Sequence, residues 1–108
     1  MLINQRVAVR IGAADCGPRG MTGGAIMRLF RAEERRFRES EAGTAWRPVA
    51  GGEVIEVKRR PAVGAEVIVT TVVDGIGDEG AQLVQTLVVA GSVAARQWVP
   101  LVRRRMQR

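Results

Sequence analysis

Residues 22–39 read TGGAIMRLFRAEERRFRE and contain the pattern of one amphipathic helix. At 100° per residue, four apolar side chains fall on one face of this helix: Ile26, Leu29, Phe30 and Phe37. Thr22 is a residue type that caps helix N-termini, so we expect the helix to begin after Thr22 and to end near Glu39. No other stretch of the chain has a comparable helical periodicity, so the rest of the fold must be arranged around this helix.

Glu33 interrupts the apolar face of the predicted helix, whereas most of the helix arginines fall on the opposite side. A buried carboxylate is costly unless it is paired, hydrogen-bonded or protonated. Glu33 is therefore a candidate functional residue. The alternative is that Glu33 pairs with Arg36 or reaches solvent.

Five strands are predicted around the helix, at residues 3–11, 53–58, 66–74, 81–89 and 92–102. Residues 12–21 and 40–52 are rich in glycine and proline and are expected to be irregular. Short turns join the last three strands, which indicates an antiparallel meander. One helix and an antiparallel sheet predict an α+β fold with the helix buried on one face. A length of 108 residues fits a single domain, residues 1–108.

The composition excludes several kinds of chemistry. The chain has one cysteine and no histidine, so it can form no internal disulfide, and it has neither a usual zinc site nor a His-dependent catalytic triad. We therefore expect no metal and no cofactor. No stretch is apolar enough to cross a membrane, and the first residues do not resemble a signal peptide. A cytoplasmic protein without a membrane partner is the expectation.

The net charge of +6 favours polyanionic partners. Nucleic acid, the phosphates of coenzyme A and an acidic carrier protein would all qualify. The basic residues form two runs, Lys58-Arg59-Arg60 and residues 103–105, and the ordinary interpretation of such runs is solvated surface. Only four residues are aromatic, and two of these belong to the apolar face of the helix, so a nucleic-acid partner is the least favoured of the three.

Three local patterns resemble the hot-dog fold of acyl-CoA thioesterases. Residues 15–20 (DCGPRG) are similar to the Asp-x-Asp-Pro-x-Gly loop of the 4-hydroxybenzoyl-CoA thioesterase group. Residues 22–26 (TGGAI) resemble the His-Gly-Gly helix opening of the phenylacetate-pathway group, and residues 61–66 (PAVGAE) resemble a turn found in both groups. The resemblance implies one long central helix wrapped by a five-stranded antiparallel sheet. It also implies hydrolysis of an acyl-CoA or acyl-carrier-protein thioester by a homodimer or a dimer of dimers.

The usual catalytic residues of both groups are replaced in this chain. Gly17 stands where the first group has its catalytic Asp, Thr22 stands where the second group has His, and Arg31 stands where the second group has its helix Asp. The chain therefore uses another acid, polarises the thioester without one, or is not a hydrolase. In the last case it would be a catalytically silent domain that binds acyl thioesters or scaffolds a complex.

The resemblance implies that the backbone N–H groups of Gly23 and Gly24 stabilise the thioester oxygen at the start of the helix. The alternative is that two glycines let the helix pack closely on a strand. Glu33 is the first candidate for the base, with Asp15 and Glu34 behind it.

The remaining candidate residues are polar side chains outside Gly23 and Gly24. Thr22 could orient a water molecule, although capping the helix would explain it as well, and Asp15 could equally be a turn residue. Cys16 has no histidine to activate it and is expected to be inert. Four basic residues are candidates for binding the phosphates of coenzyme A or phosphopantetheine: Lys58, Arg59, Arg60 and Arg103.

Overall fold

The computed structural model describes residues 4–78 and 80–104. Three residues of the sequence predictions lie outside this part of the chain: Ile3 of the first strand, Glu79 of a turn and Arg105 of a basic run. The predicted α+β architecture is confirmed, with one long helix packed against a curled antiparallel sheet.

The helix, α1, spans Gly23–Glu39, as its sequence pattern predicted. The Thr22 Oγ1 atom accepts a hydrogen bond of 3.2 Å from the backbone N–H of Ala25, so Thr22 caps the helix. Ile26, Phe30 and Phe37 are almost fully buried, and Leu29 packs against the core from its margin. The apolar face identified from the sequence is therefore the face that meets the sheet.

The main sheet contains six strands, and a two-stranded hairpin lies beside it. Their bounds are β1 (Asn4–Arg10), β2 (Cys16–Gly17), β3 (Gly20–Met21), β4 (Trp46–Pro48), β5 (Val54–Val57), β6 (Glu66–Asp74), β7 (Gly80–Val89) and β8 (Ser92–Arg103). The order in the main sheet is β1-β6-β7-β8-β4, and β5 also pairs with β8. The predicted meander of the last three strands is confirmed as β6-β7-β8.

One edge of the main sheet differs from the prediction of five strands. The segment Trp46–Pro48, expected to be irregular, pairs with the end of β8 through Trp46 and Arg103, while β5 pairs with the first half of β8. Two short segments therefore share one edge, and the sheet has six strands instead of five. A three-residue strand that contains Pro48 shows no alternation in sequence, and proline is tolerated there only because the strand is at the edge. β5 pairs with β8 and not with β6, so it is not part of the meander β6-β7-β8.

The core consists of two apolar clusters separated by a polar layer. One cluster surrounds Ile26 and Phe30, and the other surrounds Phe37 and Trp46. Between them lie three buried polar side chains, Thr71, Gln85 and Gln97. Gln85 donates from Nε2 to the backbone oxygen of Phe30 at 2.9 Å, and its Oε1 accepts from Gln97 Nε2 at 2.8 Å. These bonds satisfy polar groups that would otherwise be costly to bury.

Candidate functional site

The start of α1 presents two backbone donors. The first N–H groups of a helix have no partner within the helix, and no residue in 4–78 or 80–104 accepts a hydrogen bond from Gly23 or Gly24. A Cβ atom at Gly23 would meet nothing within 4 Å, and one at Gly24 would meet only the flexible end of Arg28 at 3.8 Å. Within one chain, close packing does not require either glycine, so that alternative has no support in this geometry.

Asp15 lies beside this helix start. Its backbone oxygen accepts a hydrogen bond of 2.9 Å from the Thr22 N–H. Its carboxylate Oδ1 is 3.6 Å from Nη2 of Arg28, one turn into the helix, and 44% of its side chain is exposed. The β2–β3 hairpin, which pairs Cys16 with Met21, brings Asp15 back to this position. The structure therefore places Asp15 and Thr22 next to the two glycines.

A pocket of about 200 Å³ adjoins the same turns of the helix. Its apolar lining comes from the end of β1 and the residue after it, from β3 and from the helix, and includes Ile11, Met21 and Ala25; its charged lining is Asp15 and Arg28. An apolar pocket with a charged pair in its wall can hold a small apolar group next to a polar reaction centre.

Glu33 lies farther along the helix, on the side of β1. Glu33 is only 6% exposed, and its Oε1 accepts hydrogen bonds of 3.1 Å from Gln5 Nε2 and from Arg36 Nη1. At 1.5 Å per residue, Glu33 is about 14 Å along the axis from Gly24. One chain therefore does not bring Glu33 and the helix start together. The alternative pairing with Arg36, raised from the sequence, is present.

Gln5 is the partner of Glu33 that the sequence did not identify. The alternation of the first strand could have identified Gln5. Gln5 lies on the same side of that strand as Val7 and Val9, which both pack against the core. Gln5 at an inward position of the strand and Glu33 at an inward position of the helix together suggest a hydrogen-bonded pair.

Lys58 and Arg59 lie at the opposite end of the sheet from Arg103. The N–H groups of Lys58 and Arg59 donate to the oxygen of Ala94 near the start of β8, whereas Arg103 ends that strand. Nine residues of strand separate Ala94 from Arg103, about 30 Å. Residues 58–60 are at the helix-start end, since the N–H of Met21 donates to the oxygen of Pro61 at 2.7 Å.

The side chains of these four basic residues have different surroundings. Lys58 Nζ is 3.8 Å from Glu56, and Arg59 donates to the backbone oxygen of Val89 at 3.2 Å. Arg103 stacks over the ring of Trp46, 4.6 Å from its centroid. Arg60 is exposed. The candidates Lys58, Arg59, Arg60 and Arg103 do not form one site within a chain.

A larger cleft, of about 380 Å³, lies on the other side of the helix, between α1 and the edge formed by β4 and the segment that follows it. Arg31 lines this cleft together with Glu34. Two more arginines come from outside the helix, Arg47 on β4 and Arg104 after β8. This cleft could not be predicted from the sequence, because its walls depend on the unpredicted strand β4.

Within residues 4–78 and 80–104, no helix is long and apolar enough to span a membrane, and no group of three or more Cys, Asp or Glu side chains is placed to hold a metal ion.

Comparison with known proteins identifies the fold. No protein-family model and no curated protein sequence matches this chain. Among solved structures, the chain is similar to the PaaI protein of the E. coli phenylacetic acid degradation operon, with a TM-score of 0.75 and 17% identity over 93% of this chain and 76% of that one. It is also similar to the Staphylococcus aureus acyl-CoA hydrolase solved with butyryl coenzyme A, with a TM-score of 0.76 and 13% identity over 93% and 62% of the two chains.

A third similar structure is the 12:0-ACP thioesterase of Umbellularia californica, with a TM-score of 0.72 and 19% identity over 93% of this chain and 45% of that one. Identities this low establish a common fold. The chain therefore has the hot-dog fold of these thioesterases, as the three sequence patterns implied.

Proposed function

We propose that this protein hydrolyses an acyl thioester carried by coenzyme A or by an acyl carrier protein. The observation that carries the proposal is the pair of N–H groups at Gly23 and Gly24, which find no acceptor among residues 4–78 and 80–104, on a helix start where the same residues leave both glycines without a packing role. The fold supports the substrate class, because the similar structures include an acyl-CoA hydrolase and a 12:0-ACP thioesterase.

The Gly23 and Gly24 donors would act on the thioester oxygen. When water attacks the carbonyl carbon, negative charge develops on that oxygen, and two fixed N–H donors together with the positive end of the helix dipole stabilise it. The C–S bond then breaks, and the thiolate leaves and takes a proton. Placing an oxyanion at a helix N-terminus requires no change in the conformation of the protein.

Asp15 would act as the base, because it is the carboxylate of the same chain that lies beside Gly23 and Gly24. Its loop is hydrogen-bonded to Thr22, and Arg28 lies 3.6 Å from its carboxylate. The Thr22 Oγ1 atom accepts from Ala25 but keeps its own O–H, which can donate to the attacking water. Glu33, the first candidate from the sequence, would reach a thioester over Gly23 only from a second chain, because about 14 Å of helix separates them.

We further propose a homodimer, or a dimer of dimers, that pairs through the edge strand β5. Val54 and Val57 on this strand are 59% and 41% exposed. An exposed edge strand with apolar side chains is a template for pairing with another chain. Such pairing would also form a second wall for sites that are open in one chain.

Phosphates of the carrier would bind to Lys58, Arg59 and Arg60, which lie at the same end of the sheet as the helix start. Arg103 is about 30 Å from Ala94 along β8, so it would contribute only to the site of another chain. We propose the cytoplasm as the compartment, because Cys16 is a free thiol and disulfides are typical of oxidising compartments.

The test is thiol release from a panel of acyl-CoA and acyl-carrier-protein substrates. We expect turnover of at least one substrate and its loss in Asp15→Asn with an unchanged melting temperature. Loss in Glu33→Gln, with Asp15→Asn active, would assign the base to a second chain. Absence of thiol release across the whole panel would reject hydrolysis.

A second candidate function is a silent domain that binds acyl thioesters without cleaving them. The replacements Gly17 and Arg31 at the usual acid positions favour it. It predicts a rise in melting temperature with acyl-CoA and no release of thiol.

A further inference from the structure

The cleft between α1 and β4 is lined by arginines from three parts of the chain. Arg31 and Arg38 belong to one stripe of the helix, Arg47 lies on β4, and Arg104 follows β8. The cleft has a volume of about 380 Å³. Four arginines that are distant in sequence therefore line one concave space, and Arg104 also donates from Nε to the backbone oxygen of Trp46 at 3.3 Å.

The positive charge of this cleft is not compensated by the residues that the structure describes, 4–78 and 80–104. Its lining contains only two carboxylates, Glu34 and Glu53, so the positive charge exceeds the negative charge by two. Neither carboxylate is within 4.0 Å of a guanidinium among residues 4–78 and 80–104. Holding like charges in one cleft is unfavourable unless an anion binds there.

Gln97 is a polar residue in the lining of the cleft. It is only 4% exposed, and its Nε2 donates to Gln85 at 2.8 Å. Its Oε1 accepts no hydrogen bond from the described residues, yet it is not sealed from solvent, and Gln97 lines the cleft. Gln85 in turn donates to the Phe30 backbone oxygen, so the orientation of this acceptor is fixed by the helix.

We propose that this cleft binds a dianionic group, with two closely spaced oxyanions of the pyrophosphate or dicarboxylate type, beside a ligand N–H or O–H that donates to Gln97. The dianion balances the excess of two positive charges. Guanidinium groups bind phosphate and carboxylate oxygens in a bidentate manner, and this favours Arg over Lys at such a site. Within one chain this cleft is not lined by the helix start or by residues 58–60, and its occupation does not require thioester hydrolysis.

The test is isothermal titration of the full-length protein with two probes, inorganic pyrophosphate and succinate, at constant ionic strength. The variant R31Q/R47Q removes two exposed guanidiniums from the cleft. The matched control R6Q/R35Q removes two exposed guanidiniums that do not line the cleft, so the change in net charge is the same. We expect binding of at least one probe and an affinity about tenfold or more lower in R31Q/R47Q, since losing hydrogen bonds to a charged group costs more than a factor of ten.

The two probes distinguish the sources of the anion. Tighter binding of pyrophosphate assigns a phosphate-bearing ligand, and tighter binding of succinate assigns an acidic organic one. The proposal is overturned if neither probe binds, or if R6Q/R35Q weakens binding as much as R31Q/R47Q does. Should R31Q/R47Q fail to melt like the wild type, the single variant R38Q replaces it and the single control R35Q replaces R6Q/R35Q, under the same criteria.

Discussion

Gln5 donates from Nε2 to the Glu33 Oε1 atom at 3.1 Å and to the Glu33 backbone oxygen at 3.0 Å. One side chain of the edge strand β1 therefore holds both the carboxylate and the backbone of a residue in the middle of the helix. The same Oε1 accepts from Arg36 at 3.1 Å. Glu33 therefore connects α1 to β1 through its hydrogen bonds with Gln5.

For Glu33, the two substitutions Glu33→Gln and Glu33→Ala should differ in stability. The glutamine keeps an oxygen for Gln5 and loses only the pairing with Arg36, whose side chain is 57% exposed, so we expect a loss of less than about 1 kcal/mol. The alanine removes the acceptor, and we expect a loss of about 1–3 kcal/mol. Urea denaturation measures both. Equal losses would contradict a role for the Gln5 hydrogen bond.

Gly23→Ala should lower the rate of thiol release without lowering the stability of the protein. A Cβ atom there has open space within this chain, and alanine is a better helix former, so stability should stay equal or rise by up to about 1 kcal/mol. Thiol release should fall about tenfold or more, because the methyl group hinders approach to an N–H donor, and one donor of this kind contributes on the order of 10²-fold in rate.

The matched control for this prediction is Gly77→Ala, where a Cβ atom would make an ordinary contact of 3.8 Å with the oxygen of Gly80. Gly77 is in the turn between β6 and β7, outside the candidate site, so thiol release should be unchanged. An unchanged rate in Gly23→Ala as well would remove Gly23 from the mechanism.

Gln85 and Gln97 should be energetically coupled. Gln97→Leu leaves the buried Oε1 of Gln85 without its donor, and we expect a loss of about 1–3 kcal/mol. In Gln85→Leu/Gln97→Leu the unpaired acceptor is gone, so the double variant should be at least about 0.5 kcal/mol more stable than additivity predicts. Urea unfolding of the wild type and the three variants measures this coupling. Additive losses would show that the 2.8 Å bond contributes nothing.

The edge strand β5 should determine assembly. V54D/V57D places charges on two exposed valines of that edge, and we expect a shift from dimer to monomer in size-exclusion chromatography with light scattering. Val63→Asp is the control, since Val63 is 58% exposed, like Val54 at 59%, but lies outside the strands. A dimer that survives V54D/V57D would place the interface on another surface.

The sequence was sufficient where structure depends on neighbouring residues. The helix is bounded by Thr22 and Glu39, as its cap and periodicity predicted, and β6 spans Glu66–Asp74, as its β-branched residues predicted. The periodicity of the helix and the β-branched residues of the strand are local features, so the physical cause of each element is present within it. The position of Glu33 on the apolar face was predicted on the same basis, and of the alternatives left open the structure shows a residue only 6% exposed that pairs with Arg36.

Only the tertiary structure decided which distant segments meet. The pairing of β4 and β5 with β8, the contact of Gln5 with Glu33, and the convergence of Arg31, Arg47 and Arg104 on one cleft all join residues far apart in the chain. Local propensity carries no information about such partners, since they follow from how the sheet curls around the helix. The sequence alone determined the helix, the sheet class and the Gly-Gly helix start; the folded arrangement determined that Asp15, and not Glu33, stands beside it in the same chain.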